Sequence, residues 1–345
     1  MSKWFQHGGA VLVAGFCGVM MMLAFTNGSE AIYQNFQTGP TMVYQAPTKA
    51  LPAAVSILPP VAPKLTTLTF VGDIMLDRGV ETSVKKNGAG DYAWLFKNVA
   101  SLKAADILFG NLEGPVSDKG KDLGNKYSFR MEPGVLPVLE QAGFDVLQIA
   151  NNHIGDWGKE AAVDTFNRLA TSSIIMVGGG KSYLDSTMVK VVEKNGLKIG
   201  FLAASDVGPN WLAATSSQAG ILLANNPSLA EIITDAASKV DLLVIAYHFG
   251  DEYQPEPNAR QKQLAHLAID NGAKLVIGSH PHVVEPLEEY NGGVIAYSLG
   301  NFIFDQYFSK ETMSGLALTI VLQGKEIQSI IKQNVILDKT FRPSI

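Results

Sequence analysis

Two histidines separated by a single proline, in Gly278-Ser279-His280-Pro281-His282-Val283, carry the strongest chemical signal in the chain. They follow the apolar run Leu275 to Ile277, which reads as a buried strand, so both imidazoles stand where a strand gives way to a loop. Open α/β sheets place their chemistry at such strand ends. With the proline restricting the backbone between them, both rings can turn toward one point, at roughly 2.0 to 2.1 Å if that point is a metal ion. Histidine also serves at surfaces and in packing, so the pair gains its meaning from its neighbours. Other strand-to-loop junctions end in residues of the same kind.

Gly72-Asp73-Ile74-Met75 follows the alternating segment Leu65 to Val71 and offers a carboxylate to a metal or phosphate, although an aspartate there also suits a cap or turn. Asp106 to Phe109 runs into Gly110-Asn111-Leu112-Glu113-Gly114, where Asn111 and Glu113 are either oxygen ligands or turn residues. Asp145 to Ala150 leads to Asn151-Asn152-His153. Two amides and an imidazole make a poor core and a good polar site. Asn152 can ligate through its carbonyl oxygen, and His153 can bind a metal or give a proton to a leaving group. Asp241 to Tyr247 closes on His248, with Asp251, Glu252 and Tyr253 as a polar rim. Beyond these, Ser298-Leu299-Gly300-Asn301-Phe302 and Phe304-Asp305-Gln306 offer Asn301 and Asp305 as lining. His266 sits in a helical pattern without a partner at motif spacing and reads as structural.

The elements that must position these residues alternate. Helical patterns cover Val80 to Lys86, Trp94 to Ala104, Val135 to Ala142, Lys159 to Thr171, Leu229 to Ser238 and Asn258 to Asn271. Thr187 to Glu193 and Leu197 to Ala203 flank Asn195-Gly196, and Val283 to Leu287 and Gly293 to Ser298 flank Asn291-Gly292; both pairs read as hairpins. The stretch Ser205 to Pro227 is long enough for a lid or binding loop. Ser314 to Leu322 and Ile327 to Ile336 read as two final strands. A sheet gathers strand ends at one edge, so Asp73, Asn111, Glu113, Asn152, His153, His248, His280 and His282 can meet in space.

At 345 residues with 47% hydrophobic content, the chain can form one large α/β domain after a leader. Its net charge of −5 and lack of a basic run give no footprint for nucleic acid. The only cysteine, Cys17, excludes an intrachain disulfide. No Asp, Glu, Lys or Arg occurs between Lys3 and Glu30, and the apolar part runs from about Ala10 to Phe25. Residues 1–27 therefore read as a signal-anchor or a signal peptide, with a single-pass anchor favoured and Lys3 on the cytoplasmic side. Residues 28–64, with Pro52, Pro59, Pro60 and Pro63, read as an extended linker. The expected location of the domain at 65–345 is the outer side of the cell membrane, or the medium if the leader is cleaved.

Oxygen and imidazole donors without thiolate suit one or two divalent ions of the Mn, Fe or Zn type. Two such ions close together can clamp a phosphate and activate water. The ordered motifs GDIM, GNLEGP, ANNH, YHFGDEY, GSHPHV and SLGNFIFDQ resemble the capsule synthesis protein CapA (PgsA) family, associated with poly-γ-glutamate capsules, over Leu65 to Gln306. That family is similar to calcineurin-like metallophosphoesterases. The resemblance implies an αββα architecture, a two-sheet sandwich flanked by helices, with a dinuclear metal centre. By motif, Asp73 resembles the first metal-binding aspartate, Asn152 the ligating asparagine, His153 the catalytic histidine, and His248, His280 and His282 the later ligands. Two departures stand out: Met75 occupies the place of a histidine, and the second motif offers Asn111 or Glu113 where a bridging aspartate is usual. Two functions follow from the resemblance. One is a surface component of poly-γ-glutamate synthesis or export, with synthase subunits and the polymer as partners; the other is a metal-dependent hydrolase of a phosphoester or other envelope bond.

Overall fold

The computed structural model describes residues 64–345, so the expected leader and nearly all of the expected linker lie outside the described residues. Runs such as Leu242 to Tyr247 and Leu275 to Ile277 are apolar at every position because their strands are covered on both faces. Leu242, Val244 and Ala246 point into one core, and Leu243, Ile245 and Tyr247 into another.

In chain order the elements are β1 (Leu65–Ile74), α1 (Arg78–Asn87), a 3₁₀ segment (Tyr92–Ala104), β2 (Ile107–Leu112), α2 (Val135–Ala142), β3 (Val146–Gln148) and α3 (Gly158–Leu169). Then follow β4 (Ile175–Val177), β5 (Gly179–Gly180), α4 (Tyr183–Thr187), β6 (Lys190–Lys194), β7 (Leu197–Ser205), β8 (Gly220–Ile221) and α5 (Leu229–Ala237). The last part comprises β9 (Leu242–His248), α6 (Ala259–Asp270), β10 (Leu275–Ser279), β11 (Leu287–Tyr290), β12 (Gly293–Ala296), β13 (Asn301–Ile303), β14 (Ser314–Gln323), β15 (Glu326–Leu337) and β16 (Pro343–Ser344).

One sheet has the order β16-β15-β14-β1-β2-β3-β4, with β13 also paired to β1; the other runs β11-β12-β10-β9-β7-β6. The larger core lies between them, where the Phe109 and Phe201 rings stack at 6.0 Å. Helices α5 and α6 cover the far face of the second sheet through Ile233, Leu264 and Ala268. This is the expected two-sheet sandwich flanked by helices. Among the described residues no helix is long and apolar enough to cross a membrane.

The central strands β1, β2 and β3 run parallel, as do β7, β9, β10 and β12. Their registers pair Asp73 with Asn111 and His248 with Ser279, so the carboxyl ends of the two sheets open at a shared edge. Both expected hairpins form, and Asn195-Gly196 and Asn291-Gly292 carry the positive φ that such turns require.

Three local expectations differ from the structure. The 3₁₀ segment replaces the α-helix expected at Trp94 to Ala104, and its backbone breaks at Val99. Ser182 accepts the Asp185 N–H and caps α4, so the strand expected from Thr187 begins only at Lys190. Pro286, lacking an N–H, separates Val283 and Val284 from the ladder, and β11 begins at Leu287. Asn301, offered as lining, opens β13 beside β1.

Candidate metal centre

Asp73 is wholly buried at the end of β1. Its Oδ1 accepts from Asn111 Nδ2 at 2.8 Å, and its Oδ2 lies 3.2 Å from His282 Nδ1 and 3.3 Å from the His280 amide. Glu113, just past β2, is also wholly buried; its Oε2 accepts from Asn111 Nδ2 at 3.2 Å. Its Oε1 has no hydrogen-bond partner among the described residues and faces His282 Nε2 at 3.5 Å and His153 Nε2 at 3.8 Å. His248 closes β9, with Nε2 2.7 Å from Asn152 Oδ1 and Nδ1 3.0 Å from Ser279 Oγ. His280 and His282 both have positive φ, +100° and +58°, which strains non-glycine residues and turns two rings from one short segment into the cluster.

Two sets of donors result. Asp73, Glu113 and His248 each offer an atom within 4.8 Å of the others, and so do Glu252, His280 and His282. Buried polar atoms normally have partners, yet Glu113 Oε1 and His280 Nδ1 have none among the described residues. An unpaired carboxylate oxygen and an unpaired imidazole nitrogen, amid further oxygen and nitrogen donors, fit a hard or borderline divalent cation.

Charge within the cluster is arranged around burial. Burial holds His248 well below the usual imidazole range, and neighbouring His280, His153 and His282 add to the effect. Burial also lowers His280, to about 3, with His282 contributing. Both rings are thus neutral, the form that binds a metal. Burial opposes protonation of His282 too, but Glu113 and Asp73 outweigh it and raise this ring to about 9. The Glu113 carboxyl is pushed well above its usual range, first by burial, although the His282 charge pulls the other way.

The structure brings Asp73, Glu113, His248, His280 and His282 into one cluster with His153, and places Glu252 at its rim. Asn152 contacts the cluster through His248. Asn111, read as an oxygen ligand or a turn residue, sits between Asp73 and Glu113. Between two carboxylates its amide presents nitrogen, while its oxygen accepts from Asn151 Nδ2 at 3.3 Å. Asn301 stands behind His282, with Oδ1 3.0 Å from Nδ1, and so orients that ring. Met75, expected as lining, is fully buried with the apolar core, and its sulfur accepts the Asp77 N–H at 3.2 Å. Asp305 lies at the mouth, paired with Arg78.

Asp156 and Arg78 join the site although no motif in the sequence singles them out. Asp156 Oδ2 lies 2.7 Å from His153 Nδ1 and also accepts the Phe129 N–H at 2.9 Å. The three-residue spacing His153 to Asp156 was the available signal. Tyr253, named only as rim, has φ +63° and its hydroxyl accepts from Gln306, whose Oε1 accepts from Asn301. The rim is thereby tied to the residue behind His282.

Glu285 connects the histidine loop to the rim loop. It is 1% exposed; its Oε2 accepts from Gln261 Nε2 at 2.6 Å and its Oε1 has no partner among the described residues. Gln261 belongs to the capping box of α6 with Asn258, which donates to Asp251. Burial raises Glu285 to about 7, with Glu256 and Asp251 adding to it against the Gln261 hydrogen bond. Between the ordinary 4.5 and about 7 the folded chain binds a proton that the unfolded chain releases. That stability is complete below 4.5 and is lost as pH rises through 7. Glu285→Gln is expected to be about 2 kcal/mol more stable than the parent at alkaline pH and nearly equal to it at acid pH. Urea midpoints at both extremes check this; a gap that does not change with pH would assign the proton elsewhere.

Comparison with known proteins adds family membership. Residues 67–306 match the family described as bacterial capsule synthesis protein PGA_cap. The PGA biosynthesis protein CapA of Bacillus subtilis is 37% identical over 252 residues, 72% of this chain and 66% of the relative. The capsule biosynthesis protein CapA of Bacillus anthracis is 34% identical over 259 residues, 72% of this chain and 62% of the relative. The chain thus spans just under two thirds of these relatives. Among solved structures, a calcineurin-like phosphoesterase, YfkN of Bacillus subtilis, aligns at TM-score 0.44 and 14% identity, covering 78% of this chain and 90% of that one. A phosphatase of Mycoplasma pneumoniae aligns at TM-score 0.47 and 14% identity, covering 79% and 94%. With the family match covering most of the sandwich and every strand end of the cluster, the chain belongs to the bacterial capsule synthesis protein family.

Proposed function

We propose that the strand-end cluster holds divalent ions and that the chain serves poly-γ-glutamate capsule production as a metal-dependent hydrolase outside the cytoplasm. The observation that carries this reading is the pair of buried, unpartnered donors, Glu113 Oε1 and His280 Nδ1, within the two three-residue donor sets. Asp73, Glu113 and His248 would hold one ion and Glu252, His280 and His282 another. Such ions supply Lewis acidity toward a substrate oxygen and lower the pKa of water.

The remaining work falls to the chain's own side chains. Asp156 fixes the His153 ring through Nδ1 and leaves Nε2, 3.8 Å from Glu113 Oε1, as the nitrogen that can give a proton to a departing oxygen. Phe129, with its ring centre 4.0 Å from that of His153, shields the ring from water. His153→Ala is expected to lower kcat on a chromogenic phosphodiester by about 100-fold or more, with KM and bound metal little changed. Turnover equal to the parent's would remove His153 from the mechanism.

The apolar segment before residue 28 is proposed to anchor the domain in the cell membrane, with secretion after cleavage as the alternative outcome of a surface-accessibility experiment. Synthase subunits and the polymer are the proposed partners. A binding scaffold is the second reading, and Asn111 favours it by presenting nitrogen where a bridging carboxylate would otherwise stand. Metal-loaded chain that binds polymer but turns over neither phosphodiesters nor γ-glutamyl bonds would select it.

A further inference from the structure

A pocket of about 200 Å³ opens over His153 and His282, and Arg78 is the cationic side chain other than histidine that lines it. Arg78 is held there at some cost. Its φ of +52° is unfavourable for a non-glycine residue, by about 1 kcal/mol or more. Asp77 Oδ1 accepts its amide at 2.7 Å. Asp305 accepts from Nε at 3.1 Å and from Nη2, and the Gly79 amide at 3.0 Å holds Asp305 in turn. The guanidinium carbon lies 4.6 Å from the centre of the Phe129 ring. Bonded along one edge and covered on one face, the fork keeps Nη1 free of protein partners among the described residues, and about a third of the side chain is exposed.

We propose that Arg78 is the oxyanion-recognising residue of this site, taking a phosphate or carboxylate oxygen of the substrate, with Asp305 as its positioning residue. This rests on the metal-centre reading. Asp305 offsets the charge of Arg78, and Glu252 adds a carboxylate at the same mouth, so the local charge does not attract anions by itself. Recognition therefore comes from the orientation of the fork, which suits planar or tetrahedral oxyanions. The aromatic pair Tyr253 and Phe308, in edge contact at 5.1 Å, borders the mouth.

The test titrates full-length, manganese-loaded chain with inorganic phosphate and separately with γ-glutamyl-glutamate, by calorimetry, with metal content read in the same samples. Arg78→Gln is expected to weaken one or both probes roughly tenfold with metal unchanged. Arg78→Lys, which keeps charge but not the fork, should fall between. Asp305→Asn takes away one of the two oxygens that hold the fork and should weaken the probes, by less than Arg78→Gln and with metal unchanged; binding equal to the parent's would overturn the positioning role of Asp305. A loss confined to phosphate identifies a phosphoester as substrate, and a loss confined to the dipeptide identifies the capsule chain. Parent and Arg78→Gln chains that carry metal and bind both probes equally overturn the Arg78 assignment alone. A parent chain without metal overturns the metal centre and the Arg78 assignment with it.

Discussion

Replacing His280 and His282 together by alanine is expected to abolish metal retention while the sandwich stays folded. Both rings come from one short loop after β10, and both belong to the donor set that includes Glu252. His282 also reaches Glu113 Oε1 in the other set at 3.5 Å, so removing it weakens both. Loss of a single outer-layer partner already weakens metal binding by about 10- to 100-fold, and loss of two ligands exceeds that. The fold should survive because neither ring belongs to the apolar clusters that hold the two sheets together. Metal content after gel filtration, together with circular dichroism, separates the two effects. Unchanged metal with both rings gone would mean that the ions lie elsewhere.

Gly72→Ala is expected to destabilise the protein by about 3 kcal/mol and to disturb the cluster as well. A Cβ at position 72 would stand 1.8 Å from the Gly300 carbonyl oxygen, 2.8 Å from its carbon and 3.0 Å from the Leu299 oxygen. All three are backbone atoms and cannot rotate away. The adjacent Asp73 amide donates to that same Gly300 oxygen at 2.9 Å, and Asp73 pairs with Asn301 in the ladder. Relief of the clash would push β13 from β1, carrying Asn301 away from His282. A urea midpoint matching the parent's would show that the strands separate at little cost, contrary to this packing argument.

The parts of the fold that could be read in advance are those where one physical rule dominates. Continuous apolar runs such as Leu242 to Tyr247 signal strands covered on both faces, and asparagine-glycine pairs signal hairpins. Because parallel strands end together, Asp73, His248, His280 and His282 could be placed at one edge from position alone. Other features depend on what tertiary structure brings near. β13 is only three residues long and exists because β1 lies beside it. Asn111 turns its nitrogen inward because two carboxylates converge on it, and neither its type nor its spacing reveals that. Nothing in its spacing singles out Arg78, because its partner Asp305 is 227 positions away. Met75 shows the reverse case, a site motif position whose side chain joins the core.

The measurement that tests the central claim most directly is a titration of the full-length chain with Mn²⁺, followed by electron paramagnetic resonance. The two donor sets share the contact between His282 and Glu113, so the account predicts uptake of two ions per chain and a spin-coupled signal distinct from that of isolated ions. A spectrum that remains that of free aqueous manganese at every addition would contradict it.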